Sequence, residues 1–327
     1  MIGYARLALV LAFFGTGGCG AASSDVEEED PTTEASSELS QYKATVTTVP
    51  APVIVGSPAS LSIAVHAPGG APITAFDPMH TKPMHLIAVS SDLEDFIHVH
   101  PVPQPAGYLL VGATFSLSEP YALFMEYDPA GAPAATLSRA RVAPAGSHLV
   151  KAHLDPAEAF GGSVSKTVLA GATRVELVGT PGAMIMPNVP AHLVFRFHTA
   201  SGGAVNDLTN WLGMPAHGII VSPDLKTFRH VHGMAESAGG HGHVHDDGAM
   251  AATKTGPIGI DVTLPSAGLY KMFVQFQRGT TVITAPFVLS VMAGHGPPPP
   301  PPSCATMTCP ARQQCMVMGA PPAPMCM

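Results

Sequence analysis

A short stretch of the chain decides its fold. It reads His85-Leu86-Ile87-Ala88-Val89-Ser90-Ser91-Asp92-Leu93 and, after two intervening residues, Phe96-Ile97-His98-Val99-His100. Two apolar runs of strand length flank a polar turn, and this pattern predicts a β-hairpin with strands at residues 85–90 and 96–100. The Asp92 side chain can close the turn through Asx hydrogen bonds. Phe96 is expected to be a core residue.

The same stretch occurs again 132 residues later in the chain. The second copy reads His217-Gly218-Ile219-Ile220-Val221-Ser222-Pro223-Asp224-Leu225, followed by Phe228-Arg229-His230-Val231-His232. A further block, Leu61-Ser62-Ile63-Ala64-Val65-His66, matches Leu193-Val194-Phe195-Arg196-Phe197-His198 at the same offset. Self-similarity at a constant offset without gaps indicates that one domain is present twice.

Each copy is expected to be all-β. Short apolar runs alternate with turn residues, Gly and Pro number 33 and 34, and no helical stripe extends over three turns. We predict two tandem Ig-like or cupredoxin-like β-sandwich domains. The chain then divides into a signal segment at 1–19, a disordered tether at 20–42, repeat 1 at 43–145, a linker at 146–163, repeat 2 with a His-rich insertion at 164–293, a Pro-rich spacer at 294–303 and a disulfide-rich tail at 304–327.

Three histidines of each hairpin are candidate metal ligands. Side chains alternate along a strand, so His98 and His100 share a face. If the turn pairs Ser90 with Asp95, then His85 lies opposite His100 on that face, at roughly 5 Å. The same construction unites His217, His230 and His232, and imidazoles so placed can reach one ion at about 2.0–2.1 Å. The alternative is that these histidines are packed, hydrogen-bonded strand residues.

A second candidate element follows the second hairpin. His241, His243 and His245 form a short His-rich tract, typical of a flexible metal-capture loop or of a solvated low-complexity loop. Thioether ligands are also available nearby, from Met79, Met84, Met184, Met186, Met214 and Met234. Imidazole with thioether favours a copper ion, which forms the strongest complexes among divalent first-row ions, and zinc is the competing cofactor.

The N-terminus predicts export. Arg6 precedes an apolar segment at 7–14 that is too short to span a bilayer, and small residues lead to Cys19. This resembles a bacterial lipoprotein signal in which Cys19 is lipidated, although Thr16 replaces the usual aliphatic residue; ordinary secretory cleavage is the alternative. We expect an outer membrane lipoprotein that faces the periplasm or the cell surface and contacts the membrane through its lipid anchor.

The remaining cysteines lie together near the end of the sequence. An even cluster in an exported chain predicts two disulfides, although a zinc site would use the same residues. The spacing is similar to that of follistatin- or EGF-like knots. The four residues are Cys304, Cys309, Cys315 and Cys326.

The hairpin motif also resembles a family of exported domains, the YtkA-like "His-Val-His-Pro" β-sandwich proteins of bacterial heavy-metal contexts. The residues that carry the resemblance are Met84-His85-Leu86 with His98-Val99-His100-Pro101, and Gly213-Met214-Pro215-Ala216-His217 with His230-Val231-His232, where Gly233 replaces the proline. The resemblance implies an envelope protein linked to copper handling.

Several function classes can be set aside. Lys and Arg number 15 and are scattered, against 23 Asp and Glu, so nucleic acid is not an expected partner. Neither repeat contains the Cys thiolate that a blue-copper carrier needs, and the disulfide-anchored loop of a Cu,Zn superoxide dismutase has no counterpart. With no local catalytic signature, we expect a non-enzymatic metal-binding protein, with envelope metal-handling proteins as candidate partners. The alternative is a structural or interaction module of the envelope that needs no metal.

Overall fold

The structure, a computed structural model, describes residues 42–236 and 255–293 together with the backbone of two short strands near the end of the sequence. Within this part of the chain, no helix is long and apolar enough to cross a membrane. The strands of repeat 1 are β1 Lys43–Val49, β2 Pro58–His66, β3 Pro72–Ile73, β4 Phe76–Asp77, β5 Met84–Ser90, β6 Phe96–Val99, β7 Val102–Pro103, β8 Leu109–Thr114, β9 Tyr121–Pro129 and β10 Thr136–Val142. Those of repeat 2 are β11 Lys166–Ala170, β12 Thr173–Leu177, β13 Ala191–Thr199, β14 Leu208–Thr209, β15 Ala216–Val221, β16 Phe228–Ala235, β17 Ile258–Val262, β18 Gly268–Arg278 and β19 Thr281–Val291, and the final hairpin is β20 Cys315–Met318 and β21 Ala323–Cys326.

Repeat 1 is a sandwich of two five-stranded sheets. One has the order β1-β2-β8-β7 with β3 beside β2, and the other has the order β10-β9-β5-β6 with β4 beside β9. Alternating residues of β2, such as Leu61 and Ile63, point into the core and are fully buried. From the opposite sheet Leu86 and Leu123 pack against them. The fold class predicted from the sequence, an all-β tandem sandwich, is therefore confirmed.

Repeat 2 forms the equivalent layers from one continuous nine-stranded sheet, with the order β11-β12-β13-β17-β16-β15-β18-β14 and β19 beside β18. Because β16 is longer than its counterpart β6, it also pairs with β17, which links the two layers. Phe195 and Phe287, from the two halves of this sheet, contact each other edge to face at 5.6 Å in the core. Burial of such side chains away from water is the main force that holds each repeat together.

The two repeats pack face to face through the sheets that carry the hairpins. Ile87 and Val89 of β5 meet Ile219 and Val221 of β15 in a shared apolar cluster. Two stacked ring pairs flank this cluster, Phe124 on Phe228 at 4.3 Å and Phe96 on Phe273 at 4.4 Å. Phe96, expected to be a core residue, and its counterpart Phe228 therefore belong to the contact between the repeats. In each pair, a phenylalanine from the hairpin of one repeat stacks on a phenylalanine from the adjacent strand of the other repeat. The two repeats exchange these roles between the two pairs, so they are related by an approximate two-fold axis.

The segment between the repeats, expected to be a linker, contributes to this packing. Leu154 is buried in the cluster between the repeats, and Phe160 is buried in the core of repeat 2 beside β19. In the final hairpin the backbone register places Cys315 opposite Cys326. Three predictions concern residues or side chains outside the described part of the chain: the disulfides, the lipidation of Cys19, and the His-rich tract of His241, His243 and His245.

Candidate metal centre

The hairpin turn sets the register that gathers each set of histidines. The Ser90 amide donates to the Asp95 carbonyl at 3.0 Å, and the Glu94 amide donates to Asp92 Oδ1 at 2.9 Å, which is the predicted Asx turn. Leu86 then lies opposite Val99, so the next residues outward, His85 and His100, come together. In repeat 2 the same register pairs His217 with His232 directly.

Each repeat presents its three predicted histidines as a compact triad: triad 1 is His85, His98 and His100, and triad 2 is His217, His230 and His232. Within each triad one nitrogen from every ring lies within 4.8 Å of the others. The ring centroids are 4.7–5.5 Å apart. Imidazoles that bind one tetrahedral ion at about 2.0–2.1 Å have centroids about 5 Å apart. The spacing of both triads therefore suits a single ion with small ring rotations.

Hydrogen bonds fix which nitrogen of each ring is free in triad 1. His85 Nε2 donates to the Met79 carbonyl at 3.0 Å, and His98 Nδ1 donates to Gln275 Oε1 at 2.6 Å. When both rings are neutral, their other nitrogens carry lone pairs, yet these nitrogens face each other at 3.0 Å. Two nitrogens on one tetrahedral ion are about 3.3 Å apart. A cation between them would remove the lone-pair repulsion at almost unchanged geometry.

Triad 2 repeats this arrangement. His217 Nε2 donates to the Trp211 carbonyl at 2.9 Å, and His230 Nδ1 donates to Glu126 Oε2 at 2.5 Å. The free nitrogens, Nδ1 of His217 and Nε2 of His230, face each other at 3.2 Å. A ring nitrogen held by a carbonyl or a carboxylate leaves the other nitrogen oriented as a ligand, which is the usual outer environment of metal-bound histidine.

The third nitrogen of each triad is buried without a partner. His100 Nε2 and His232 Nε2 are both inaccessible to solvent and make no hydrogen bond in the described part of the chain. Leaving a buried polar atom unsatisfied costs roughly 1–3 kcal/mol, so two at equivalent positions call for an explanation. An ion bound by each triad would satisfy both atoms.

Burial keeps these imidazoles in the form that binds metal. Desolvation lowers the pKa of His85 to about 4 and is also the largest effect on His217, whose pKa falls to about 3. Burial, and then the neighbouring His85 and Lys82, lower the pKa of His100 to about 3. Only an unprotonated nitrogen can bind a metal ion, so near neutral pH little proton competition is expected at these rings.

The two triads lie side by side across the contact between the repeats. His85 and His98 of triad 1 have ring centroids 5.3 and 5.6 Å from that of His230 in triad 2. The hydrogen bonds cross in both directions, since Gln275 of repeat 2 orients His98 and Glu126 of repeat 1 orients His230. Each repeat therefore supplies the three rings of its own triad, and the other repeat supplies the acceptor that orients the central ring.

Four further residues at the centre were missed by the sequence analysis: His80, Trp211, Glu126 and Gln275. The centroid of the His80 ring lies 3.8 Å from that of His232, and the centroid of the Trp211 indole lies 5.2 Å from that of His98. Met84, a predicted thioether ligand, is instead buried in the core of repeat 1, because it alternates with His85 along β5.

Comparison with known proteins identifies the domain but not its activity. A model for a domain of unknown function, DUF8832, matches residues 37–143 and 167–293. No curated protein matches the chain. The YtkA-like resemblance stays a prediction, because the matched family is described only by that number.

Solved structures resemble the chain only weakly. The adhesin FdeC of Escherichia coli has 14% identity and a TM-score of 0.22, with 77% of this chain and 64% of that chain covered. InvD of Yersinia pseudotuberculosis has 12% identity and a TM-score of 0.21, with 84% and 62% covered. The chain thus spans less than two thirds of either structure. The family match covers most of the chain, which therefore belongs to the DUF8832 family and carries its domain twice.

Proposed function

We propose that this protein is an exported metal-binding protein whose two histidine triads each hold a transition-metal ion. The observation that carries the proposal is the pair of unsatisfied buried nitrogens, His100 Nε2 and His232 Nε2. Each completes a set in which the other two rings are already oriented by carbonyl or carboxylate acceptors. A hydrogen-bonded structural histidine would have a partner at this position.

Copper is the metal that we propose, with zinc as the alternative. Both ions accept three imidazole nitrogens, and copper forms the more stable complex of the two with nitrogen ligands. The orienting bonds to Gln275 and Glu126 hold the rings in place before the ion arrives, which reduces the ordering cost of binding. The ligands are enclosed between the repeats, which favours retention of an ion over turnover of a substrate. We accordingly propose buffering, delivery or sensing rather than an enzymatic role.

The envelope is the proposed location, on the strength of the export signal that precedes Cys19. A lipid anchor on Cys19 would keep the triads close to the outer membrane, facing the periplasm or the cell surface. Envelope metal-handling proteins are then the natural partners for exchange. The His241, His243 and His245 tract would supply a first point of capture.

The test is a calorimetric titration of the untagged, metal-free full chain with copper(II) and, separately, zinc(II). The parent variant carries His241→Ser, His243→Ser and His245→Ser, so that the loop tract cannot contribute. We expect about two equivalents to bind with a Kd of about 1 μM or tighter, near −8 kcal/mol. The double variant His100→Gln with His232→Gln should lose this binding.

A matched control replaces an exposed histidine, His153→Gln, and should titrate like the parent. If the parent binds neither ion more tightly than about 1 mM, near −4 kcal/mol, the metal proposal fails. The triads would then be structural, and the envelope interaction module would become the better account.

A further inference from the structure

The two triads are matched in their own residues but differ in what surrounds them. The register places Glu126 beside His85 and Gln275 beside His217, so these two side chains occupy equivalent positions. The turn before each hairpin is also equivalent: residues 79–82 correspond to residues 211–214 at the offset that relates the repeats. Differences at these positions show how the two sites have diverged.

The first difference is an additional imidazole beside triad 2. His80 is half-buried, and its ring centroid lies 3.8, 6.2 and 6.4 Å from those of His232, His217 and His230. Imidazoles on one tetrahedral ion have centroids about 5 Å apart, so the His80 ring would have to move away from His232 and toward His217 and His230 to share an ion with them. In triad 1 the His80 ring lies near His85, with centroids 6.2 Å apart. The equivalent residue beside triad 1 is Leu212, which offers no ligand.

The turn that carries His80 is strained in a way that its counterpart is not. The Met79 and Lys82 backbones bond to each other in both directions, at 2.8 and 2.9 Å, so His80 and Thr81 form a two-residue loop. Both have positive φ, 45° and 70°. For a β-branched residue such as Thr81 this conformation is unfavourable, whereas the second copy uses Gly213 there, at φ 82°. Strain of this kind persists where other interactions hold it, often at functional sites.

The second difference is the acceptor behind the central histidine. His230 of triad 2 donates to the Glu126 carboxylate, whereas His98 of triad 1 donates to the neutral amide of Gln275. The amide is held in this orientation by its own bond from Nε2 to Thr284 Oγ1 at 3.1 Å. A carboxylate partner makes the imidazole a stronger ligand, and its loss typically weakens metal binding 10–100-fold.

The third difference is a positive charge near triad 1. Lys82 interacts electrostatically with His100, so its ammonium group lies near triad 1. The same charge would oppose a metal cation at triad 1. The residue at the equivalent position near triad 2 is the uncharged Met214.

All three differences favour cation binding at triad 2 over triad 1. We infer that His80 is a fourth ligand of triad 2, donated by repeat 1 to the site of repeat 2, and that this four-imidazole site fills before triad 1. The inference rests on the proposed function and assigns an order to its two sites. Repulsion between two nearby cations would by itself make the second ion bind more weakly than the first, so two separate steps alone do not identify the stronger site. The decisive observation is which triad binds the first ion.

The experiment is a calorimetric zinc(II) titration of the full chain that carries His241→Ser, His243→Ser and His245→Ser. His232→Gln and His100→Gln form a matched pair. We expect His232→Gln to remove the tight first step, and His100→Gln to leave that step intact and remove the second.

Two further variants test the surroundings of triad 2. His80→Leu should weaken the first step about 10-fold or more, and Glu126→Gln about 10–100-fold, while the second step changes little. His80→Leu is expected to fold normally, because Leu212 already occupies the equivalent turn position at φ 55°, and a metal-free thermal melt checks this.

The outcomes separate the two proposals. Loss of the first step in His100→Gln, or an unchanged first step in His80→Leu, overturns this inference while metal binding stands. Absence of any binding in the parent overturns the proposed function itself.

Discussion

Triad 1 and triad 2 share one backbone design and differ in their electrostatic surroundings. In both, a turn residue's carbonyl orients the first histidine and a side chain of the other repeat orients the second. Around triad 2 stand the His80 imidazole and the Glu126 carboxylate, and around triad 1 the Lys82 ammonium and the Gln275 amide. The comparison indicates that the hairpin determines where the imidazoles come together. If the triads bind metal as proposed, the residues around each hairpin would determine how strongly that site attracts a cation.

The largest expected effect tests the symmetry of the contact between the repeats. Phe124→Ala and Phe273→Ala each remove one ring of a stacked pair at equivalent buried positions. Each should lower the free energy of unfolding by about 3–5 kcal/mol, measured by denaturant titration. The exposed Leu149→Ala serves as the control and should change it by less than about 0.5 kcal/mol. A cost below about 1 kcal/mol for either Phe variant would show that its repeat does not depend on this contact.

The next effect is stabilisation by the metal. An ion that binds only the folded protein raises its stability by about 2.7 kcal/mol at a free concentration 100 times the Kd. Thermal melts with and without copper(II) should show this increase in the parent, and a chelator should reverse it. The double variant His100→Gln with His232→Gln should melt identically in both conditions. An equal metal-dependent shift in that variant would place binding elsewhere in the chain.

Acid should destabilise the metal-free protein. An unfolded histidine takes up a proton near pH 6.5, whereas the folded chain holds the pKa of His85 at about 4 and that of His217 at about 3, chiefly through burial. The unfolded state therefore binds more protons, so stability is fully present above pH 6.5 and falls as pH drops toward 4. Denaturant titrations at pH 7 and pH 5 should differ by at least about 1.4 kcal/mol, the value of one pKa unit for one group. Equal stability at the two pH values would contradict the burial of neutral imidazoles.

The smallest effect distinguishes the two hairpin turns. Asp92→Ala and Asp224→Ala each remove an Asx bond, worth about 1 kcal/mol. The first turn has additional support, because Glu119 accepts from the Ser91 hydroxyl and the Asp92 amide, whereas Pro223 stands at the position of Ser91 in the second. Denaturant midpoints should therefore fall further for Asp224→Ala. The reverse order would mean that Glu119 does not support the first turn.

Much of each triad could be predicted because its determinants are local. The turn from Ser90 to Asp95 fixes the register, and alternation along the strands then places His85, His98 and His100 on one face. The surroundings could not be predicted, since His98 and Gln275 are 177 residues apart in the chain. One sequence signal was available: the nearly continuous apolar run of β5 is typical of a strand buried on both faces, and all seven of its residues are buried. That signal indicated a second packed surface, which is the contact between the repeats.

The most direct test of the central claim is a crystal structure of the metal-loaded protein with anomalous scattering recorded at the copper edge. The account predicts two peaks, one bound by His85, His98 and His100 and the other by His217, His230 and His232, with the stronger peak at the second site when one equivalent is supplied. Peaks confined to other parts of the chain, or no peak between the repeats, would contradict it.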